Sequence, residues 1–182
     1  MRFDAIFDKL KAKIRGTIDI DRLMKDGLTV GENFHAQEGV IIDPGHCWLI
    51  EFGDNVTLAP RVHILAHDAS TKIPLGYTKI GKVRIGNNVF IGAGSVVLPN
   101  VQIGDNVVIG AMSLVTKDLS SNGVYAGNPC IKIANYSDWV DKQRERMKES
   151  NIYDEAFTIG HISTENKQKM KEELTENIGY IL

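Results

Sequence analysis

Residues 85–119 read IGNNVF IGAGSV VLPNVQ IGDNVV IGAMSL VTKDL when they are taken six at a time. A branched aliphatic residue opens every hexad, a glycine often follows it, and a small or aliphatic residue stands four places after the opening position. This period of six fits neither the 3.6-residue period of a helix nor the two-residue alternation of a strand. It predicts a solenoid built from short stacked units.

A longer period of three hexads is also present, because GNN at Gly86 returns as GDN at Gly104, and IGAG at Ile91 returns as IGAM at Ile109. We therefore predict a three-sided coil, with a short parallel strand on each side and Gly, Asn or Asp at the corners. Successive coils would stack about 4.8 Å apart around a dry aliphatic interior.

Composition limits the class of protein. The 182 residues are 43% hydrophobic and carry a formal net charge of −2, which argues against a general nucleic-acid or membrane-surface binder. The chain has neither an apolar run long enough for membrane insertion nor an apolar stretch at its start, so we expect a cytoplasmic protein. Two cysteines, Cys47 and Cys130, are too few for a disulfide framework and lack metal-binding spacing.

The chain divides by pattern into three parts. Residues 1–27 form an N-terminal helical cap, with one amphipathic helix at 3–14 and a second that Asp19 or Asp21 caps and Gly27 ends. Residues 28–133 form the β-helix domain. Residues 134–182 form a C-terminal helical extension with helices at about 137–148 and 163–176, which either face solvent or pack on a neighbouring subunit.

Two insertions interrupt the hexads. One adds four residues at 48–51, and the other adds fifteen residues at 70–84 as an excursion loop. Both fall after the third side of the coil and therefore at the same corner. A long loop in so regular a scaffold is usually functional or disordered.

The strings LAPRVHILAHDASTK, LGYTKIG, IGAGSVVLPNVQIGDNVVIGAMSLVTKDL and YAGNPC together resemble the acyl-CoA-dependent acetyltransferases of the hexapeptide-repeat family. The maltose, galactoside, xenobiotic and surface-polysaccharide enzymes are the most similar group, over roughly residues 20–133. The resemblance implies an all-β core that is a left-handed parallel β-helix, flanked by N- and C-terminal α-helices. It also implies a homotrimer with active sites in the clefts between subunits. The expected activity is transfer of an acetyl group from acetyl-CoA to a hydroxyl of a sugar or sugar-like acceptor, with an amine as the less favoured alternative, and without a metal.

His67 matches the catalytic histidine of this family, at the point where the coil breaks into the loop. An imidazole suits this role, because it can take a proton from an acceptor hydroxyl near neutral pH. A solvated corner histidine is the structural alternative.

Hexad register singles out two more polar residues. If Ile42 and Ile64 open equivalent hexads, His46 and Asp68 occupy the same fifth position on adjacent coils, where a small inward residue is expected. We predict that they hydrogen-bond each other and fix the segment that carries His67, unless the insertion turns both out to solvent. Asp43, beside Pro44, is interpreted as a turn residue and as a weaker acceptor-site candidate.

The resemblance also implies a coenzyme A site on the later coils. Relatives often have Lys or Arg directly after NPC, where this chain has Ile131 and then Lys132, which an extended strand turns to the opposite face. Phe90, Ala93 and Ala111 match positions that line the pantetheine arm. Thr116 and Lys117 are expected to bind carbonyl and phosphate groups, and Ala126 and Gly127 match the exit where the adenine end rests. Lys132 is the candidate for the phosphate contact that Ile131 cannot make.

Two other function classes use the same solenoid. A zinc carbonic anhydrase of the γ type needs three histidines, and His46, His63 and His67 supply that number. The other class is a non-catalytic scaffold or binding module with a degenerate site. The joint presence of His67, the loop and the AGNP exit favours an enzyme over this alternative.

Overall fold

A computed structural model describes residues 18–182, so the helix predicted at 3–14 lies outside the described residues. Its contacts divide the chain into two units, of which the first extends to Tyr136 and the second is Ser137–Leu182. The hexads lie in the first unit.

The strands are short, and many have only two or three residues. In chain order they are β1 (Thr29–Val30), β2 (His35–Ala36), β3 (Ile41–Ile42), β4 (Ile50–Phe52), β5 (Val56–Leu58), β6 (His63–Ile64), β7 (His67–Asp68), β8 (Lys79–Ile80), β9 (Val83–Ile85), β10 (Val89–Ile91), β11 (Val96–Val97), β12 (Gln102–Ile103), β13 (Val107–Ile109), β14 (Leu114–Val115), β15 (Gly123–Ala126), β16 (Ile131–Asn135), β17 (Asn151–Tyr153) and β18 (Gly179–Ile181). The helices are α1 (Ile20–Lys25), α2 (Lys72–Leu75), α3 (Tyr136–Lys148) and α4 (Thr164–Glu173), with 3₁₀ turns at Cys47–Leu49, Ala69–Thr71 and Glu155–Phe157.

Three sheets form the sides of the solenoid. Sheet 1 has the order β1-β4-β9-β12, sheet 2 the order β16-β15-β13-β10-β5-β2, and sheet 3 the order β14-β11-β6-β3. Neighbouring strands are parallel except for β15 and β16, which are antiparallel. The chain visits sheets 1, 2 and 3 in turn, which confirms the predicted three-sided coil; the left-handed turn stays a prediction.

The register confirms the coil length and both insertions. Ile85 pairs with Ile103 and Val97 with Val115, eighteen residues apart. Ile42 pairs with Ile64, four residues further than one coil, and Ile64 pairs with Val97, fifteen residues further.

The predicted insertions, 48–51 and 70–84, end two residues too late, because strands β4 and β9 already begin at Ile50 and Val83. Glu51 and Arg84 were assigned to the loops, but they pair as neighbours in sheet 1, and the Arg84 Nε lies 3.2 Å from the Glu51 Oε2. The four extra residues therefore precede Ile50 and include the 3₁₀ turn, and the fifteen extra residues precede Val83. The longer excursion is an arm, residues 67–80, in which β7 pairs antiparallel with β8 around the short helix α2.

Asparagines form a ladder at the corner between sheets 1 and 2. Each takes a positive φ between 53° and 60°, a backbone conformation that asparagine tolerates better than most residues. The side-chain amides of the first four each donate a 3.0 Å hydrogen bond to the side-chain oxygen of the next asparagine along the solenoid. The members are Asn33, Asn55, Asn88, Asn106 and Asn122.

The terminal helices agree with the sequence where they are described. The Asp19 carboxylate caps α1 by accepting a hydrogen bond from the Arg22 amide at 3.0 Å, and Leu23 is buried in the solenoid core. The two C-terminal helices are confirmed as α3 and α4, whereas the parallel pair β17 and β18 was not predicted. From Ile18 onward the chain contains no helix with the length and apolar character that a membrane crossing needs.

Close approach of the coils makes Gly86 a sensitive position. A Cβ there would lie 2.9 Å from the Gly104 carbonyl carbon, which cannot move away without breaking the register. We expect Gly86→Ala to cost about 3 kcal/mol of unfolding free energy. Gly76→Ala is the control, because its φ is +73° but its new methyl group would meet nothing within 4 Å; it should cost about 1 kcal/mol. Equal shifts of the melting temperature in the two variants would contradict this account.

Candidate active site

Asp43 and His67 meet at the corner between sheets 3 and 1, where both insertions leave the coil. Asp43 follows β3, and its amide donates a 2.9 Å hydrogen bond to the Ile64 carbonyl on the next coil. His67 opens the arm three residues after Ile64. The adjacency of β3 and β6 in sheet 3 thus brings together two residues that are 24 positions apart.

Asp43 is buried, with only 1% of its surface exposed, and both of its carboxylate oxygens have partners. Its Oδ2 accepts hydrogen bonds from His67 Nδ1 at 2.5 Å and from the Ala66 amide at 3.0 Å. Its Oδ1 accepts one from the Gly45 amide at 3.1 Å. Asp43 therefore forms the predicted turn, but it is also the partner of His67, which the sequence analysis missed. The available signal was its place at the second position of a hexad, where glycine is usual.

Hydrogen bonding keeps Asp43 ionised despite its burial. Burial alone would raise the pKa of a carboxyl group. The hydrogen bonds from His67, Ala66 and Gly45, with the attraction of the His67 ring, outweigh that effect and hold the pKa of Asp43 below its ordinary value. The site thus contains a fixed negative charge next to an imidazole.

The hydrogen bond to Asp43 determines which nitrogen of His67 is basic. Nδ1 donates its hydrogen to the carboxylate, so in the neutral ring Nε2 carries the lone pair. The side chain is 40% exposed. Asp43 therefore orients the His67 ring through Nδ1, while the partly exposed ring presents Nε2 as a proton acceptor. This is the arrangement of a general base.

His46 lies next to this pair. Its ring centroid is 5.1 Å from that of His67 and 5.4 Å from that of Trp48. Its Nδ1 is shielded from solvent, lies 3.8 Å from the Asp43 Oδ1, and has no hydrogen-bond partner among residues 18–182.

The predicted hydrogen bond between His46 and Asp68 is wrong. The Asp68 carboxylate lies 2.5 Å from Lys79 Nζ and accepts a 2.8 Å hydrogen bond from the Ser70 amide. These contacts with Lys79 and Ser70 hold the pKa of Asp68 well below its ordinary range. The physical reason is that the arm begins at His67, so Asp68 leaves the coil and pairs with β8 instead of facing inward.

The three-histidine zinc site is not formed. Ile64 is fully buried, so its strand neighbour His63 faces the outside of sheet 3. In the part of the chain from residue 18 onward, the group whose ligand atoms lie within 4.8 Å of one another consists of Asp43, His46 and His67.

A groove runs along the corner between sheets 2 and 3. Ala93 and Ala111 line it on successive coils, together with Pro60, Arg61, Gly94 and Met112. The Leu114 amide donates a 3.0 Å hydrogen bond to the Gly127 carbonyl, which sets Ala126 and Gly127 on the next coil of the same corner. Phe90 lies on sheet 2, which leads into the groove, and is 43% exposed.

The remaining predicted coenzyme residues lie elsewhere. Thr116 and Lys117 are exposed and follow β14 at the corner of His67, two coils further along the solenoid. Lys132 is exposed on β16, and so is its neighbour Ile131. The predicted residues thus occupy two corners of one chain, the outer face of sheet 2 at Phe90, and strand β16.

A family profile described as "Bacterial transferase hexapeptide (six repeats)" matches residues 82–117. A solved structure, a maltose O-acetyltransferase from Clostridium difficile 630, is 33% identical, with a TM-score of 0.52 over 70% of this chain and 83% of that one.

Two curated relatives add to this similarity. A galactoside O-acetyltransferase from Escherichia coli (strain K12) is 40% identical over 116 residues, which are 60% of this chain and 54% of the relative. Protein CapG from Staphylococcus aureus is 49% identical over 90 residues, which are 47% of this chain and 52% of the relative. The chain spans about half the length of these curated relatives.

The different environments of the two aspartates predict different stabilities. Asp43→Ala leaves the Ala66 and Gly45 amides and His67 without their acceptor and should cost about 3 kcal/mol of unfolding free energy. Asp68→Ala removes an exposed ion pair and should cost less than about 1 kcal/mol. Denaturant unfolding of both variants measures the difference.

The stability that Asp43 contributes should also depend on pH. The folded-state pKa of Asp43 is lowered from 3.8, so its stabilising contribution is complete above that value and is lost as the pH falls through the lowered pKa. The gap between wild type and Asp43→Ala should therefore shrink in acid. Equal losses in the two variants at neutral pH would refute the assigned roles.

Proposed function

Because the chain belongs to the family of hexapeptide-repeat transferases, we propose that it transfers an acetyl group from acetyl-CoA to a hydroxyl group of a sugar-like acceptor. The names of the maltose and galactoside O-acetyltransferases among its relatives support both the reaction and the class of acceptor. The single observation that carries the proposal is the hydrogen bond between Asp43 and His67, which leaves the Nε2 of His67 free to accept a proton.

In the proposed reaction, His67 Nε2 removes the proton of the acceptor hydroxyl while its oxygen attacks the thioester carbonyl carbon. The bond from that carbon to sulfur breaks, and the leaving thiolate takes the proton back from the imidazolium. Asp43 stays ionised throughout, because its charge stabilises the imidazolium and its backbone hydrogen bonds hold it in place. The net result is an acetyl ester and free coenzyme A.

The groove between sheets 2 and 3 is the surface that we assign to the pantetheine arm. Ala93 and Ala111 lack long side chains, so a thin, extended ligand could lie against the coil backbone there. Phe90 would lie beside it, and Ala126 and Gly127 would continue the same corner toward the adenine end.

A homotrimer would bring the groove to His67. In one chain they occupy different corners of the coil, so a complete site would combine the His67 corner of one subunit with the groove of the next. The outer faces of the sheets support such contacts. Sheet 3 presents an outer row that is largely apolar, with Ile41, His63, Val96 and Leu114, whereas sheet 1 presents Thr29, Glu51, Arg84 and Gln102.

Release of free thiol from acetyl-CoA tests the reaction directly. The purified protein should release thiol in the presence of some members of a panel of sugars, nucleotide sugars and chloramphenicol-like compounds, and mass spectrometry should find the acetylated acceptor. An amine product in place of an ester would change the class of acceptor. Saturable binding of acetyl-CoA without any acetylated product would favour a binding module instead.

Replacement of the base should affect turnover and leave binding intact. We expect His67→Ala to lower turnover by about 10²- to 10⁴-fold, while the dissociation constant of coenzyme A changes little. His161→Ala is the matched control, because His161 is an exposed histidine in the second unit. A His67→Ala enzyme with near-native turnover would rule out this mechanism.

Mixing of two inactive variants tests the shared site. His67→Ala lacks the base, and Ala111→Trp fills the groove. If each site takes its base from one subunit and its groove from the next, an equal mixture that exchanges subunits should regain about a quarter of wild-type activity. No recovery, once subunit exchange has been demonstrated by mass spectrometry, would mean that one chain carries a whole site.

A further inference from the structure

We propose that Asp43, His46 and His67 also bind a divalent transition-metal ion such as Zn²⁺, and that the bound ion switches off the proton acceptor of the proposed reaction. The two observations that carry this inference are the convergence of three ligand atoms and the unpartnered nitrogen of His46. The acetyl transfer uses the contact between Asp43 and His67, but it does not use His46.

The three side chains are suitable zinc donors. Two imidazole nitrogens and one carboxylate oxygen, a donor set common at zinc sites, lie within 4.8 Å of one another. Ligands at normal bond lengths around a tetrahedral zinc ion stand about 3.4 Å apart. The observed separations from the Asp43 oxygens, 2.5 Å to His67 Nδ1 and 3.8 Å to His46 Nδ1, lie on either side of that value. Small side-chain movements would therefore admit an ion.

His46 provides the independent observation. Within residues 18–182, its Nδ1 is the one buried side-chain nitrogen or oxygen that has no hydrogen-bond partner. Such a group is unfavourable, because it has lost its water without gaining a partner. The Asp43 Oδ1 lies 3.8 Å from this nitrogen, which is too distant for a hydrogen bond. An ion between the two would give this nitrogen a partner.

The surroundings hold the carboxylate in place. The Ala66 and Gly45 amides donate to opposite oxygens of Asp43, so the carboxylate is oriented before any ion arrives. Hydrogen bonds of this kind to metal ligands raise affinity, because they fix the ligand geometry. The partly exposed rings of His46 and His67 leave a side from which a water molecule could complete the coordination.

Metal binding would disable the base through the second nitrogen of its ring. In the metal-free site, the ring hydrogen of His67 is on Nδ1 and is donated to Asp43. An ion on Nδ1 displaces that hydrogen, and the neutral ring then carries it on Nε2. Nε2 has no free lone pair in this form, so it cannot accept the acceptor proton. This step rests on the proposed function, whereas the metal site does not.

Cobalt provides a direct readout, because Co²⁺ in a site with nitrogen and oxygen ligands has characteristic visible absorption. The metal-free wild-type protein should bind one Co²⁺ per chain, and Zn²⁺ should displace it. His46→Phe refills the space beside Trp48 and should weaken Co²⁺ binding at least about tenfold. Loss of a residue that only supports a ligand already costs about that much affinity, and His46 would be a ligand itself. His46→Asn is a second variant in case the first does not fold, and melting temperatures verify folding in both.

His63→Ala is the matched control. It removes another histidine of the same coil that lies outside the cluster, so Co²⁺ affinity should stay at the wild-type value. Absence of Co²⁺ binding by the wild type, or equal affinity in the folded His46 variants, would overturn the metal site. An equal loss in His63→Ala would also overturn it, because it would move the ligands to the outer face of sheet 3.

Inhibition is measured separately from binding. Stoichiometric Zn²⁺ should abolish thiol release, a chelator should restore it, and coenzyme A affinity should change little because none of the three metal ligands lines the groove. Binding of Zn²⁺ without inhibition would overturn the assignment of His67 Nδ1 as a ligand. If the metal-free protein transfers no acetyl group to any acceptor, the proposed function fails, and the Co²⁺ titration alone decides the metal site.

Discussion

The backbone hydrogen bonds that join each coil to the next are the constraint on which the rest of the molecule depends. The Gly53 amide donates to the Ile85 carbonyl at 2.8 Å, and the Gly86 amide donates to the Ile103 carbonyl at 2.9 Å. Successive coils are thereby held about 4.8 Å apart along their whole perimeter. At that distance a corner has little space for side chains. Two of the three corners stack side chains between coils, and the third lets the chain leave the coil.

Two corners are closed by stacking. The asparagine ladder joins all five levels of the first corner through side chains. At the second corner, residues with positive φ turn the chain. Two of them have long side chains, and each lies over a glycine of the preceding coil: Arg61 over Gly39, and Met112 over Gly94. The third corner has neither device at the level of Asp43 and His67, so the chain can leave the coil there. The reactive side chains therefore occur where the stacking is interrupted, and Asp43 restores some of the lost rigidity.

The solenoid could be predicted from the sequence because its period depends on contacts that every coil repeats. Ile85, Ile91 and Val97 occupy equivalent interior positions, and the same pattern returns one coil later. The position of His67 followed from the break in that pattern together with the family resemblance. The partner of His67 could not be found in this way, because the pairing depends on the local path of a corner that occurs once. Hexad counting assumed that His46 and Asp68 remain on the coil, but Asp68 leaves with the arm and Asp43 turns inward. Strands β17 and β18 were missed because a single pair of three-residue strands has no periodic signal.

The hydrogen bond that closes the base of the arm affects how the sequences of such proteins can diverge. The Gly81 amide donates a 3.0 Å hydrogen bond to the Ala66 carbonyl, so the two ends of the excursion are joined before the coil resumes in phase at Val83. Because this closure fixes the ends and not the length, residues can be gained or lost between them without shifting any strand of the solenoid. The segment beside His67 could therefore change in length and sequence during evolution while the solenoid stays the same. The stability of the scaffold and the chemistry at its corner could then change independently.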